Sequence, residues 1–374
     1  LSDSHPSNQE AVAQGCPGGL GSLVKLLEAG PDPLAAAAVG AIASLCRGHE
    51  ANASAAAAAL SESFSSGRDG SAARAAAAAR SLAERGACNE AAMASSGLLA
   101  KLVEHLGRPA PTTRPTTPAP ATMRGGARSP EPVLSDGLRE ALQAVRALCA
   151  VPGNHPVVVE AGGIRHLTQQ LGHFNSSAAA DAAATLETLA LATADNLESI
   201  AGAIVPLVAL LQRLPRNPEA QHFSAAVLDA LGEDERNHKA MGEAGVLPSL
   251  LKLLEVGGAR SRSSSPGPAA SRPGSRSSSP ALGAAQPAAA AAAASLEAAA
   301  GAAESHEVLA RDRASSALRK LVNRRKLPVA DLPLEAMVRS LAGGGAKVRE
   351  LAAELLDQIA SAPGTAAALV AAGA

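Results

Sequence analysis

Nine histidines and four cysteines carry most of the chemistry that this 374-residue sequence could offer. The histidines are scattered, with no His-Glu-x-x-His, and none stands at metal-ligand spacing from a cysteine. Cys16, Cys46, Cys88 and Cys149 are far apart and form no C-x-x-C pair, so neither a zinc site nor a disulfide framework is indicated. Cys46 and Cys149 each follow a leucine near the end of a helix-like segment. Both are expected to be small buried hydrophobes, in keeping with a reducing compartment. The triplet Gly343–Gly345 lacks the following Lys and Ser or Thr of a phosphate loop and joins two helical patterns, and Gly125-Gly126 falls in a Pro/Thr-rich stretch; both read as flexible turns. A hydrolase needs a nucleophile, a base and an orienting group together, and the sequence proposes no such trio. The expectation is a non-enzyme with no catalytic residue, no cofactor and no metal.

Composition points to helices. The chain is 47% hydrophobic, lacks Trp and Tyr, and has only Phe64, Phe174 and Phe223 as aromatic carbocycles. Ala and Leu dominate, and both are strong helix formers. Strand-length runs of β-branched residues are missing. A formal net charge of -1 gives no overall pull towards nucleic acid or an anionic membrane. The alanine run from Ala288 to Ala294 is too short and too weakly hydrophobic for a membrane span. The first ten residues lack the charged-then-apolar order of a secretory signal. A start at Leu1 suggests that a native N-terminal region precedes this chain.

The elements that would position any functional residue are set by a recurring phrase: an asparagine, seven residues, a glycine, then an amphipathic helix. It reads NHPVVVEAGGIRHLTQQL from Asn154 and NHKAMGEAGVLPSLLKLL from Asn237, with a copy two residues shorter from Asn196 to Gly202. Asn89 to Gly97 keeps the same offset of eight, and the asparagines at 154, 196 and 237 are separated by 42 and 41 residues. Such a period means stacked helical repeats. Each unit predicts a short first helix ending at a glycine suited to positive φ. A second helix follows with apolar residues such as Ile164, Leu167 and Leu171, or Leu247, Leu250, Leu251 and Leu254. The third, longer helix is typified by AAADAAATLETLALA from Ala178. Asn52, Asn89, Asn154, Asn196 and Asn237 begin the first helices, where an N-cap role is expected.

The E-A-G elements at Glu160–Gly162 and Glu243–Gly245, the L-x-x-L-L helices and the third-helix ends ATLETLA and AAVLDALG resemble the armadillo repeat family, with HEAT-like repeats as the nearest alternative. The resemblance implies an all-α, right-handed α-solenoid of roughly seven repeats. Two low-complexity stretches interrupt it. Residues 1–106 read as armadillo repeats with a degenerate second copy between Ala55 and Arg85. Residues 107–133 read as a Pro/Thr-rich disordered insertion, 134–255 as further repeats, and 256–303 as a Ser/Arg/Pro/Ala-rich disordered insertion. Residues 304–374 complete the repeats, and the Thr365 to Gly373 offset suggests a unit cut short at the C-terminus.

The family resemblance also implies that third helices line a partner groove. The positions corresponding to the ligand-gripping asparagine of importin-type relatives include Ser44, Ser81, Ala147, Thr188, Ala230, Lys320 and Gln358, with Gln143 four residues before Ala147. No Trp-Asn ladder is present, which disfavours nuclear-import cargo binding. Lys320 stands out within a basic patch of Arg311, Arg313, Arg319, Arg324, Arg325 and Lys326, as a residue that could meet an acidic partner. Between Ala259 and Pro280 there are four arginines and no acid, and Ser265 and Ser279 each precede Pro with Arg at the third position before. They are candidate phosphosites whose modification would reverse the local charge; a solvated linker is the plainer alternative. Without interleaved aromatics the stretch gives no sign of specific nucleic-acid binding. The reading is a protein-interaction scaffold or adaptor that takes a protein or extended peptide along third helices. The alternatives are the substrate-recruiting part of a larger ubiquitin-ligase-like enzyme and a nuclear transport adaptor. The expected location is cytoplasmic, with the nucleus left open as a second location.

Overall fold

The structure is a computed structural model, and it describes residues 7, 9–11, 19–29, 32–65, 69–84, 90–108, 136–173, 175–213, 217–260, 286–323, 333–343, 346–361 and 364–373. Among the described residues there is no strand. The chain divides into two compact units, Leu1–Leu207 and Val208–Ala374.

In the N-terminal unit, α1 (Gly19–Ala29) and α2 (Asp32–Cys46) supply the second and third helices of the first repeat. Helices α3 (Glu50–Ser65) and α4 (Asp69–Glu84) form the degenerate second repeat. Its first and second helices have fused, because no glycine interrupts the alanine-rich run. The third repeat is α5 (Glu90–Ser95), α6 (Leu98–Leu106) and α7 (Asp136–Cys149). The fourth begins with a 3₁₀ turn, Pro152–Asn154, followed by α8 (His155–Glu160), α9 (Gly163–Leu171) and α10 (Ser176–Ala190). Helix α11 (Ala194–Ile200) and the 3₁₀ turn Ala201–Ala203 open the fifth repeat, and α12 (Ile204–Arg213) carries the chain across the division between units. The C-terminal unit continues with α13 (Pro218–Leu231), the turn Glu235–Asn237, α14 (His238–Glu243), α15 (Val246–Arg260) and α16 (Gln286–Asn323). It closes with α17 (Leu334–Gly343), α18 (Ala346–Ala360) and α19 (Ala366–Ala371).

The glycine at the first turn of the phrase behaves as its spacing requires. Gly97, Gly162 and Gly245 have φ of 68°, 77° and 72°, where an L side chain would be strained. The second glycine of the EAGG sequence serves close packing instead. A Cβ on Gly163 would lie 2.5 Å from Val158 Cγ1, so α8 and α9 meet this closely only without it. The shortened copy loses the device, since Gly202 lies in a 3₁₀ turn.

Within each unit the third helices pack side by side: α2 on α4, α4 on α7 and α7 on α10, and separately α13 on α16 and α16 on α18. Alanine makes this possible. Ala178, Ala179, Ala182 and Ala183 on α10 and Ala225, Ala226 and Ala230 on α13 are buried, while Leu142, Leu148, Leu186 and Leu228 fill the space between helices. Cys46 and Cys149 are buried near the ends of α2 and α7 as small hydrophobes, and burial pushes each thiol up to about 12. Cys16 and Cys88 lie outside the described residues. Among the described residues one helical stretch, Ala194–Arg213, is apolar and long enough to cross a membrane. In this fold it is broken by the turn at Ala201–Ala203, and Ile200, Ile204, Leu207, Leu210 and Leu211 are buried in packed repeats.

The phrase asparagines do not cap their own helices. Asn154 stands before α8 without accepting a hydrogen bond from it; instead its Nδ2 donates back to the Leu148 carbonyl at 2.9 Å. Asn237 donates to Leu231 O at 3.1 Å, Asn196 to Leu189 O at 2.9 Å and Asn52 to Leu45 O at 2.9 Å. Thr365 reproduces the bond with its hydroxyl, donating to Ile359 O at 2.8 Å. Each acceptor lies at the end of the preceding third helix, where carbonyls have no intrahelical partner. The correction is therefore one of direction: the side chain is a donor that closes one repeat, not an acceptor that opens the next. True N-caps are elsewhere, with Asn175 accepting from Ser177 and Ala178, Thr193 from Asn196, and Asn217 from Ala220. Asn89 lies outside the described residues.

Helix reaches into the 256–303 stretch from both ends, as α15 runs to Arg260 and α16 starts at Gln286. The physical reason for the second is the alanine-rich sequence after Gln286, since alanine loses the least on entering a helix. The remainder of that insertion, 261–285, and 109–133 of the first lie outside the described residues.

Candidate partner-binding surface

The sequence-nominated residues lie on third helices, one set in each unit. In the N-terminal unit, Ser44 on α2, Ser81 on α4, Gln143 and Ala147 on α7 and Thr188 on α10 are all half-buried. Their polar groups are modest. Gln143 Oε1 accepts from Arg80 at 2.8 Å, and the Thr188 hydroxyl turns inward to its own helix, donating to Ala184 O at 3.1 Å. In the C-terminal unit, Lys320 and Gln358 are half-buried, whereas Ala230 is buried and offers no surface to a partner.

Beside each set are ion pairs that the sequence reading missed. Arg80 on α4 reaches Glu140 on α7 at 3.2 Å, and Arg146 on α7 reaches Asp181 on α10 at 2.5 Å. In the C-terminal unit Asp229 on α13 is shared by Lys320 at 2.8 Å and Arg313 at 3.6 Å, both from α16, while Arg319 reaches Glu354 on α18 at 2.9 Å. A positional rule joins three of them, Arg80–Glu140, Arg146–Asp181 and Asp229–Arg313, and holds for Arg319 but not for its partner Glu354. Arg80, Arg146, Asp229 and Arg319 each immediately precede a nominated position, namely Ser81, Ala147, Ala230 and Lys320. Glu140, Asp181 and Arg313 each lie seven residues before Ala147, Thr188 and Lys320. The signal was present as opposite charges at two fixed offsets on successive third helices, one repeat apart.

Lys320 is one of these stitches and not a free cation. Its Nζ also lies 2.6 Å from Glu233 Oε1. Burial works to lower its pKa, but the hydrogen bonds and negative charges of Asp229 and Glu233 outweigh it and hold the ammonium above its ordinary value. The described members of the basic patch are likewise paired: Arg311 with Glu307 at 2.6 Å and Arg313 and Arg319 with the acids above. Arg324, Arg325 and Lys326, and the candidate phosphosites Ser265 and Ser279, lie outside the described residues. Among the described residues no three His, Cys, Asp or Glu are grouped to hold a metal ion.

With short first helix, positive-φ glycine, second helix and side-by-side third helices in place, the repeat can be set against known structures. An engineered protein superposes on the whole chain, 100% of it and 75% of its own length, with a TM-score of 0.54 and 21% identity. A chain from a structure concerned with a phosphorylation switch in the interaction between cadherin and beta-catenin covers 91% of this chain with a TM-score of 0.54 and 14% identity. The fold is an armadillo-like repeat. This chain spans about half of the latter protein, 52%. A designed armadillo repeat protein covers 81% of this chain with a TM-score of 0.49 and 16% identity. No family model matches the sequence, and no curated protein matches it. Half-buried small and polar residues thus recur on the armadillo-like third helices, with ion pairs between neighbouring helices beside them.

Proposed function

We propose that the chain is a protein-binding scaffold that takes a protein or extended peptide along the exposed edges of its third helices. The observation that carries this reading is the recurrence of half-buried Ser44, Ser81, Gln143, Ala147 and Thr188 on consecutive third helices of the N-terminal unit. Lys320 and Gln358 are the corresponding residues of the C-terminal unit, with Lys320 shaping the surface through its acids. A repeated, shallow face of this kind suits many weak contacts along an extended ligand better than one deep anchor. Because Arg80, Arg146, Arg313, Arg319 and Lys320 are paired within the fold, recognition beside them rests on small polar and apolar contacts and not on free charge. The absence of any Trp from the sequence removes the aromatic part of an import-type peptide clamp. Phosphorylation at Ser265 or Ser279, each with an arginine three residues before it, would add negative charge to the chain and so tune its partners. A cytoplasmic or nuclear setting accords with cysteines kept as buried thiols.

The test is a comparison of captured partners. Thr188→Arg together with Ser81→Arg should abolish capture of the partners that the unaltered chain retains, with an unchanged helical spectrum. Val205→Arg and Lys239→Glu, at exposed positions outside this set, should leave capture intact. Retention by the Ser81/Thr188 variant would overturn the proposal.

A further inference from the structure

His222 on α13 and His306 on α16 meet through their Nδ1 atoms at 3.1 Å, with ring centroids 5.2 Å apart. Phe223 forms one wall, its ring centroid 4.8 Å from His222 and 5.6 Å from His306. The two backbones belong to helices in extensive mutual contact, so the rings converge because the fold holds them there. A direct Nδ1 to Nδ1 approach leaves few electronic options. Either one ring donates a proton to the lone pair of the other, or both are protonated at Nε2 and two lone pairs face each other. A cation between them removes that repulsion.

We propose that His222 and His306 form a two-histidine site for a zinc-class divalent cation that clamps α13 to α16. Two imidazole nitrogens on tetrahedral zinc, each at about 2.05 Å, are separated by about 3.3 Å, so an opening of a few tenths of an ångström admits the ion. Imidazole is a ligand of choice for such borderline metals. No third His, Cys, Asp or Glu is grouped with the pair among the described residues, so water fills the remaining positions. The surrounding charges set the affinity. Glu219 lies one turn before His222 on α13 and favours a cation, while Arg313 on α16 opposes one but turns its guanidinium to Asp229.

Zinc(II) titrated into the full chain, in competition with a chromophoric chelator, tests the site. The unaltered chain should take up one equivalent more than His306→Gln does. That substitution keeps an amide able to donate to His222 Nδ1, so the helix contact survives. As a second readout, zinc should slow amide hydrogen exchange in α16 around Glu304–Ala310 in the unaltered chain and not in the variant. Equal uptake by both would assign the zinc to the other histidines and overturn the proposal. So would absence of uptake, which would leave the pair as a proton-sharing contact only.

Discussion

The α13 to α16 step of the C-terminal unit uses the same pair of positions as the steps of the N-terminal unit but with the opposite charge order, whereas the α16 to α18 step, Arg319 to Glu354, keeps the cation first. In the N-terminal unit the cation comes first, Arg80 facing Glu140 and Arg146 facing Asp181. At the α13 to α16 step the acid comes first, Asp229 facing Arg313, with Lys320 added. What the armadillo-like packing fixes is therefore complementarity at two offsets, not the sign at either. The reversed step is also doubly served, because one buried carboxylate has two cations.

That redundancy predicts unequal responses. Arg146→Met should cost most, about 2–3 kcal/mol in urea unfolding, because it leaves the buried Asp181 carboxylate without its guanidinium; exposure of Arg146 keeps the loss below that of a fully buried pair. Lys320→Met should cost only about 1 kcal/mol, since Arg313 remains beside Asp229. Equal losses would remove the distinction between the steps.

The asparagine bond should instead make the units alike. Asn154→Ala and Asn237→Ala each remove one of the two hydrogen bonds to a third-helix carbonyl, since Val151 N and Asp234 N also donate to Leu148 O and Leu231 O, and each should cost about 1 kcal/mol. A loss confined to one of them would show that the bond matters in only one setting.

Acid should separate the units again. Burial first, then the charges of His306 and Arg313, lower the His222 pKa from 6.5 to about 4. The unfolded chain therefore binds a proton that the fold refuses between those values. Stability of the C-terminal unit should fall as pH drops from 6.5 and level off below 4, and His222→Leu should flatten the slope in thermal melts. The smallest effect concerns the N-terminal unit: Cys46 and Cys149, raised to about 12, should resist thiol reagents until that unit unfolds.

The repeat boundaries were legible because they depend on local chemistry: a positive-φ glycine at Gly97, Gly162 and Gly245, and apolar spacing in second helices. The direction of the asparagine bond was not. An asparagine at a helix start can accept from its own helix or donate to another, and the choice depends on how near the preceding third helix ends. Lys320 was placed on the correct helix, but its role depends on Asp229 and Glu233, one of them 91 residues away. Ala230 was nominated by register, yet α13 is packed on every side from Ala220 to Leu231. The long α16 was obscured because its alanine-rich start reads as low complexity until it is seen joined to the packed segment from Ala310 onward.

The most direct test of the scaffold account is hydrogen exchange on the full chain, alone and with a partner recovered by the unaltered protein. The account predicts slowed exchange concentrated in the third helices α4, α7 and α10 or α16 and α18. Protection confined to second helices such as α6, α9 and α15, with the third helices unchanged, would contradict it.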